Sequence, residues 1–328
     1  MKTFSSFTQA YHALLSDVYE HPDFVSSPRG YKVREKLGVT FKITNPRDRL
    51  PFVAKRDFSV AYYVAESLWY LSGNDSTSWI SNYSSFWKNI SDNGITANSA
   101  YGARIFKPHR RIASSIDAKW TQWQYVVEEL SSDSDSRRAV IHIRSPQDSI
   151  LAKKDVPCTL ALQFFLRDDK VHMLTSMRSS DLILGLAYDV PAFTLFQELL
   201  SIELSKKLNR NIGIGDYIHT SNSLHIYERH FEMVESIISS DEKKSLVMPP
   251  LPESLPIQEM LDFESKCREA KSSDEVFSLL DTLKLDPYWK DWCLILASHK
   301  IGRLSDPDNS SKSLINFAEY QGYSFFNK

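Results

Sequence analysis

The chain has 328 residues with 42% hydrophobic and 12% aromatic content, ample for the core of one large domain or two small ones. A net charge of −2 gives no basic field and argues against a polynucleotide partner. Its three cysteines, Cys158, Cys267 and Cys293, show no paired spacing; no apolar run is long enough to span a bilayer, and the N-terminus lacks a signal-peptide core. A cytoplasmic protein without a metal site is expected.

Residues 4–20 read as an amphipathic helix, with Phe7, Tyr11, Leu14, Leu15 and Val18 at helical spacing behind a Ser/Thr cap. A turn-rich loop, Ser26-Ser27-Pro28-Arg29-Gly30, precedes a strand-like run. Residues 59–72 form an apolar helix that ends near Gly73 and carries a single acid, Glu66. A carboxylate on an apolar helix face is costly unless it is paired or functional, and burial raises its pKa towards the range useful for proton transfer. Trp79, Phe86 and Trp87 follow, then the turn Asp92-Asn93-Gly94 and the segment Tyr101-Gly102-Ala103-Arg104. Aromatic residues at such spacing are usually core. A helix over 117–130 ends in the acidic, serine-rich stretch 131–136, after which Arg137-Arg138 opens a strand over 139–143.

The stretch from Pro157 to Asp189 carries the most chemistry. Cys158 precedes an alternating run (Leu160, Leu162, Phe164, Leu166), the polar turn Arg167-Asp168-Asp169-Lys170 and a second run, Val171 to Met177. Two such runs around a short polar turn predict a β-hairpin, whose open ends bring Cys158 and Arg178 together. A guanidinium beside a thiol favours the nucleophilic thiolate. From spacing alone, Cys158 reads equally as an activated nucleophile and as a structural cysteine beside a solvated arginine. Farther on, Val190 to Leu208 predicts a long buried helix, and a turn at 213–216 leads into a short strand. His225 and Tyr227 alternate there onto one face. Beyond Pro252, residues 257–303 look helical, and the chain finishes in a polar tail over 322–328.

Several of these blocks together resemble one family. Pro157-Cys158 with Gln163-Phe164, then Arg178-Ser179 with Asp181 and Leu184-Gly185-Leu186, then Gly215-Asp216 and His225-Ile226-Tyr227 with His230, look like the signature segments of the thymidylate synthases. The likeness runs from about Arg29 to about Pro252 (roughly two thirds of the chain), and the combination is specific where each block alone is weak. It implies an α/β fold of the α+β type, a mixed β-sheet with flanking helices. A catalytic domain over 1–252 would carry a mostly helical extension over 253–328.

The resemblance also assigns roles. Cys158 would add to the pyrimidine ring with help from Arg178, while Glu66 and Tyr101 handle the C5 proton. Arg29, Arg137, Arg138, Gln163, Ser179, His225 and Tyr227 would bind nucleotide, the arginine pair serving the partner's phosphate across a homodimer. Trp87, Asp181 and Gly185 would contact 5,10-methylenetetrahydrofolate. Two departures shape the substrate reading. Asp189 stands where the family has a uracil-reading asparagine, and Thr159 stands where synthases usually have histidine. A protonated Asp189 donates to N3 of cytosine and accepts from its amino group, the reverse of what asparagine offers uracil. The resemblance is therefore closest to the cytidylate hydroxymethylase branch, acting on dCMP or CMP. Thymidylate synthesis from dUMP, a cytidylate C5-methyltransferase and a non-catalytic nucleotide- or RNA-binding relative stand as alternatives. The polar tail departs from the short aliphatic C-terminus of the synthases.

Overall fold

The protein is described here by a computed structural model covering residues 1–110, 119–150, 153–240 and 247–305. A short strand β1 (Lys2–Phe4) leads to α1 (Phe7–Glu20), β2 (Phe24–Ser26) and β3 (Val33–Ile43). The helices α2 (Val60–Leu71), α3 (Thr77–Ile80), α4 (Phe86–Ile90) and α5 (Tyr101–Phe106) follow, then the two-residue strands β4 (His109–Arg110) and β5 (Lys119–Trp120). Next come α6 (Gln122–Ser132), β6 (Val140–His142), β7 (Thr159–Arg167), β8 (Lys170–Met177) and β9 (Ser180–Asp181). The chain continues through α7 (Leu186–Leu208), β10 (Gly213–Tyr227), α8 (Phe231–Ile238), α9 (Ile257–Glu269), α10 (Ser273–Asp281) and α11 (Pro287–Ser305). The polar tail at 322–328 lies outside the described residues.

One mixed sheet, in the order β1-β3-β10-β8-β7-β6, organises the molecule, with flanking helices as expected. β10 is its spine, running antiparallel to β3 and parallel to β8. The sequence reading expected a turn at 213–216 and a short strand; instead β10 has 15 residues and passes through both glycines. Gly215 permits this because a Cβ there would lie 2.5 Å from the His172 ring on the neighbouring strand. The predicted hairpin forms as β7 and β8, closed by Asp168 and Asp169 at φ 49° and 53°. Positive φ at both turn residues is the twist-matched two-residue geometry that aspartate tolerates.

Leu162, Phe164 and Leu166 of β7, with Val171 and Met173 of β8, point into the core, while Ala161, Gln163 and Phe165 are half-buried on the other face. α7 packs on the core face, and α2 packs beyond it, so that α7 is buried almost all round. α7 also begins earlier than predicted. Pro191 reads as a boundary in sequence, yet the helix runs through it from Leu186 and brings Asp189 into its first turn. The side chains of Ser6, Ser59 and Thr121 cap α1, α2 and α6, which explains starts one to five residues later than the periodicity implies.

The predicted helical region 257–303 is three helices. They pack against α2 and the segment after α3: Trp292 meets Tyr63 of α2 edge-on at 5.9 Å, and Tyr83 donates to Glu264 of α9 at 2.9 Å. No helix among the described residues is long and apolar enough to cross a membrane.

Candidate active site

The hairpin delivers Cys158 and Arg178 side by side. The Arg178 backbone N–H donates to the Cys158 carbonyl at 2.9 Å, and Nη2 reaches Cys158 Sγ at 3.5 Å. The guanidinium is also anchored on the Pro157 and Val156 carbonyls at 2.9 and 2.8 Å. Arg178 pulls the thiol pKa down, as expected. Burial outweighs it, and Asp189, Asp155 and Asp181 push the same way as burial, so the net direction is upward. The arginine is therefore a partial activator: in the free protein Cys158 is held mainly as thiol.

Asp189 closes one side of this cluster. Burial, then the carboxyls of Glu66 and Asp181, raise its pKa well above the usual carboxylate range. The shift favours the neutral acid form, which can both donate and accept a hydrogen bond. Tyr101 lies in the same cluster, where burial, Asp189 and Cys158 keep its phenol protonated. Its ring stacks between Tyr70 and Phe193, with centroids at 5.6 and 5.9 Å.

Glu66 is 5% exposed on α2, and burial lifts its pKa to about 7 against hydrogen bonds from Tyr62 and Tyr70. The Tyr62 hydroxyl donates to Glu66 Oε1 at 2.5 Å and accepts the Trp87 indole N–H at 2.9 Å. A carboxyl titrating near neutrality in a hydrogen-bonded site suits proton transfer. It also costs stability. A folded pKa above the unfolded one leaves the full contribution in place below the ordinary value of 4.5 and removes it as pH rises through 7. Glu66→Gln is accordingly expected to raise stability at pH 8 by up to about 3 kcal/mol, taking about 1.4 kcal/mol per pKa unit. The gain should vanish as pH falls towards 4.5. Denaturant titrations of both proteins at several pH values check this; an equal gain at all pH values would refute it.

Asp181 accepts from the backbone of Ile183 and Leu184 at 2.7 and 3.2 Å through Oδ1, while Oδ2 is buried without a hydrogen-bond partner among the described residues. A buried orphan acceptor is costly unless a ligand satisfies it. A pterin offers ring N–H and amino donors of the required kind, and the buried Trp87 indole offers an aromatic wall. The residues present thus fit a folate. Gly185 sits between Asp181 and Asp189: a Cβ there would come within 3.3 Å of both the Asp181 carbonyl and Asp189 Oδ2.

His225 and Tyr227 do share a face, with rings edge-on at 5.2 Å. His225 pairs in register with Asp181, which joins them to the Arg178–Asp181 segment that also contains the half-buried Ser179. Tyr31 meets Tyr227 at 6.3 Å, so the Arg29 loop lies at this end too, although Arg29 itself is exposed, with φ 55°.

Three expected residues are not gathered in. Arg137 and Arg138 are exposed before β6, beside the far end of β7 from Cys158. Six or more strand residues separate these ends, roughly 20 Å, and Arg138 pairs with Glu129 at 2.9 Å. Gln163 donates to the Arg137 carbonyl at 2.9 Å on the sheet face opposite the core, far from the cysteine. Arg104, assigned no role from sequence, is a structural clamp on Asp148, Asn98 and the Ile143 carbonyl.

Residues that the sequence reading missed are Tyr62 and Tyr70, although their spacing four before and four after Glu66 places all three on one helical stripe. His219 was also missed. It is fully buried between Tyr217 and Ser180, and burial pushes its pKa down to about 3, so it packs as a neutral ring.

Comparison with known proteins adds the following. Residues 9–276 match the family model described as thymidylate synthase. A protein of Bacillus phage SP01 named deoxyuridylate hydroxymethyltransferase is 33% identical over 233 residues, covering 69% of this chain and 59% of the relative. A protein of Delftia phage PhiW-14 with the same name is 30% identical over 220 residues, covering 62% of this chain and 56% of the relative. The match therefore spans less than three fifths of either relative's length.

Proposed function

The chain belongs to the thymidylate synthase family, and on that premise we propose that it transfers a one-carbon unit to C5 of a pyrimidine nucleotide, forming 5-hydroxymethylcytidylate from dCMP or CMP. One feature carries the choice of base: Asp189, an aspartate in the cluster around Cys158, whose carboxyl pKa is pushed well above the usual range by desolvation and by Glu66 and Asp181. A deoxyuridylate substrate is the second reading, favoured by the printed names of the two phage relatives.

In this reading Cys158 loses its thiol proton to solvent, and the thiolate beside Arg178 adds to C6, the S–C bond forming as the C5–C6 π electrons move towards C5 and the ring nitrogen N3. Asp189 gives its proton to N3 and accepts from the exocyclic amino group, which makes C6 a better acceptor and steadies the charge that develops. Trp87 and Asp181, with Gly185 allowing close approach, would hold 5,10-methylenetetrahydrofolate, which would supply the one-carbon unit; tetrahydrofolate would depart as the C5 proton is lost, water would supply the hydroxyl, and Cys158 would leave C6 to restore the ring. The proton at C5 leaves past Tyr101. That phenol holds its own proton tightly, so the acceptor matched to neutral pH is Glu66.

Ser179, His225, Tyr227 and Arg29 bind the sugar and phosphate. Arg137 and Arg138, too far from Cys158 in one chain, serve the partner's nucleotide in a homodimer, with Gln163 holding the strand that carries them. The half-exposed apolar face of Ala161, Phe165, Leu174 and Ile218 supports such pairing. Residues 1–252 form the catalytic unit, and beyond it α9 and α11 brace α2. Free Cys158, Cys267 and Cys293 favour a cytoplasmic setting.

Incubation of the protein with methylenetetrahydrofolate and each of dCMP, CMP and dUMP, followed by mass spectrometry of the nucleotide, tests this. A gain of one CH₂O on dCMP or CMP is expected. Gain of CH₂ with release of dihydrofolate would mean a methyltransferase, and turnover of dUMP alone would refute the cytidylate assignment.

A further inference from the structure

Tyr62, Glu66 and Tyr70 recur at every fourth residue of α2, so their side chains form one row along the helix. At one end the Tyr62 hydroxyl bridges Trp87 Nε1 and Glu66 Oε1, at 2.9 and 2.5 Å. At the other end Tyr70, whose hydroxyl lowers the pKa of the same carboxyl, stacks on Tyr101 at 5.6 Å. A continuous path thus leads from the indole assigned to the folate side to the phenol beside Cys158.

We propose that Tyr62 is a positioning residue that couples the protonation of Glu66 to the state of the Trp87 wall, and that this coupling is reciprocal. The proposal rests on the functional reading above, in which Trp87 faces folate and Glu66 takes the C5 proton. A hydroxyl has one proton to give, and Tyr62 gives it to Glu66 while its oxygen receives the indole N–H. That incoming bond polarises the O–H and strengthens its donation to the carboxylate. Displacing Trp87 weakens the donation, and Glu66 then binds a proton more readily.

The Tyr62 ring has little freedom to turn away, since it lies edge-on against Tyr188 at 4.8 Å, next to Asp189 in the chain. The titratable or hydrogen-bonding groups around Glu66 are Tyr62 and Tyr70 of α2, Trp87 of α4, Tyr101 of α5, and Tyr188 and Asp189 of α7. α9 and α11 direct Glu264 and Tyr288 towards Tyr83 and Tyr63 instead. Burial already holds Glu66 near neutrality, so a modest change at Tyr62 shifts its protonation within the working range.

The test follows the Trp87 indole N–H by NMR in protein labelled at tryptophan nitrogen, free of nucleotide and folate, from about pH 5 to about pH 9, a span centred on the Glu66 value. Trp87→Phe assigns the resonance, and the other tryptophans serve as internal references. The Trp87 signal should titrate with the midpoint of Glu66; Glu66→Gln and Tyr62→Phe should each flatten it. In turnover, Tyr62→Phe should raise the acidic limb of the kcat/KM profile by about one pH unit, the size expected for losing one hydrogen bond to a carboxylate. A Trp87 signal indifferent to pH overturns the proposal, as does a Tyr62→Phe protein that keeps the titration. Absence of turnover on every nucleotide would instead overturn the functional reading, and the titration of the free protein still decides the coupling.

Discussion

If the proposed cytidylate chemistry holds, replacement of Asp189 by asparagine should exchange the base preference. Turnover of cytidylate is expected to fall by about a hundredfold or more while deoxyuridylate becomes the better substrate, because a site built to pair with one edge leaves its polar groups unpaired against the other. The carboxylic acid form of Asp189 donates to N3 and accepts from the 4-amino group; an asparagine amide accepts from N3–H and donates to O4. Steady-state kcat/KM for dCMP and dUMP, in the wild type and in Asp189→Asn, measures the exchange. The sign of the pH effect follows from the raised pKa. If cytidylate turnover uses the protonated form, it should decline as rising pH ionises Asp189, whereas the asparagine variant should lack that limb. If the wild type prefers dUMP and Asp189→Asn leaves that preference unchanged, Asp189 is not the base reader.

Cys158→Ala should cost about four orders of magnitude or more in turnover, since no other group in the cluster can form the C6 adduct, and covalent catalysts lose most of their rate with the nucleophile. Nucleotide binding, measured by calorimetry, should survive. The mass of a trapped protein–nucleotide adduct should be present in the wild type and absent in the variant. A second expectation concerns the thiol itself. Burial and three carboxyl groups outweigh Arg178 in the free protein, so alkylation of Cys158 should accelerate only at alkaline pH, and Arg178→Ala should move that acceleration higher still. Rapid alkylation at neutral pH would show that the guanidinium dominates after all.

Much of this site was legible because its residues lie close in sequence. The alternation on either side of Arg167–Lys170 announces a hairpin, and a hairpin with a two-residue turn has only one way to pair its ends. Cys158 beside Arg178 follows from that geometry. Glu66 stood out as an acid in an apolar helix, and His225 with Tyr227 as alternating strand positions. The family signature spread over these segments was visible for the same reason.

What the sequence determined by itself, then, is local: the hairpin, the helical stripe of α2, the polar residues stranded on apolar faces, and the candidate site residues that these place. Tertiary structure alone decided how those groups act on one another. Whether Arg178 wins over burial at Cys158 depends on carboxyls contributed by α7, β9 and the loop before β7. Whether Asp189 is an acid or a carboxylate depends on its depth and on Glu66 from another helix. Trp87 became a partner of Glu66 only because α4 packs its indole against Tyr62. Arg137 and Arg138 were separated from the cysteine by the length of a strand. Such outcomes rest on desolvation and on charges brought together from distant segments. Both scale with three-dimensional separation and burial, which residue spacing along the chain does not encode.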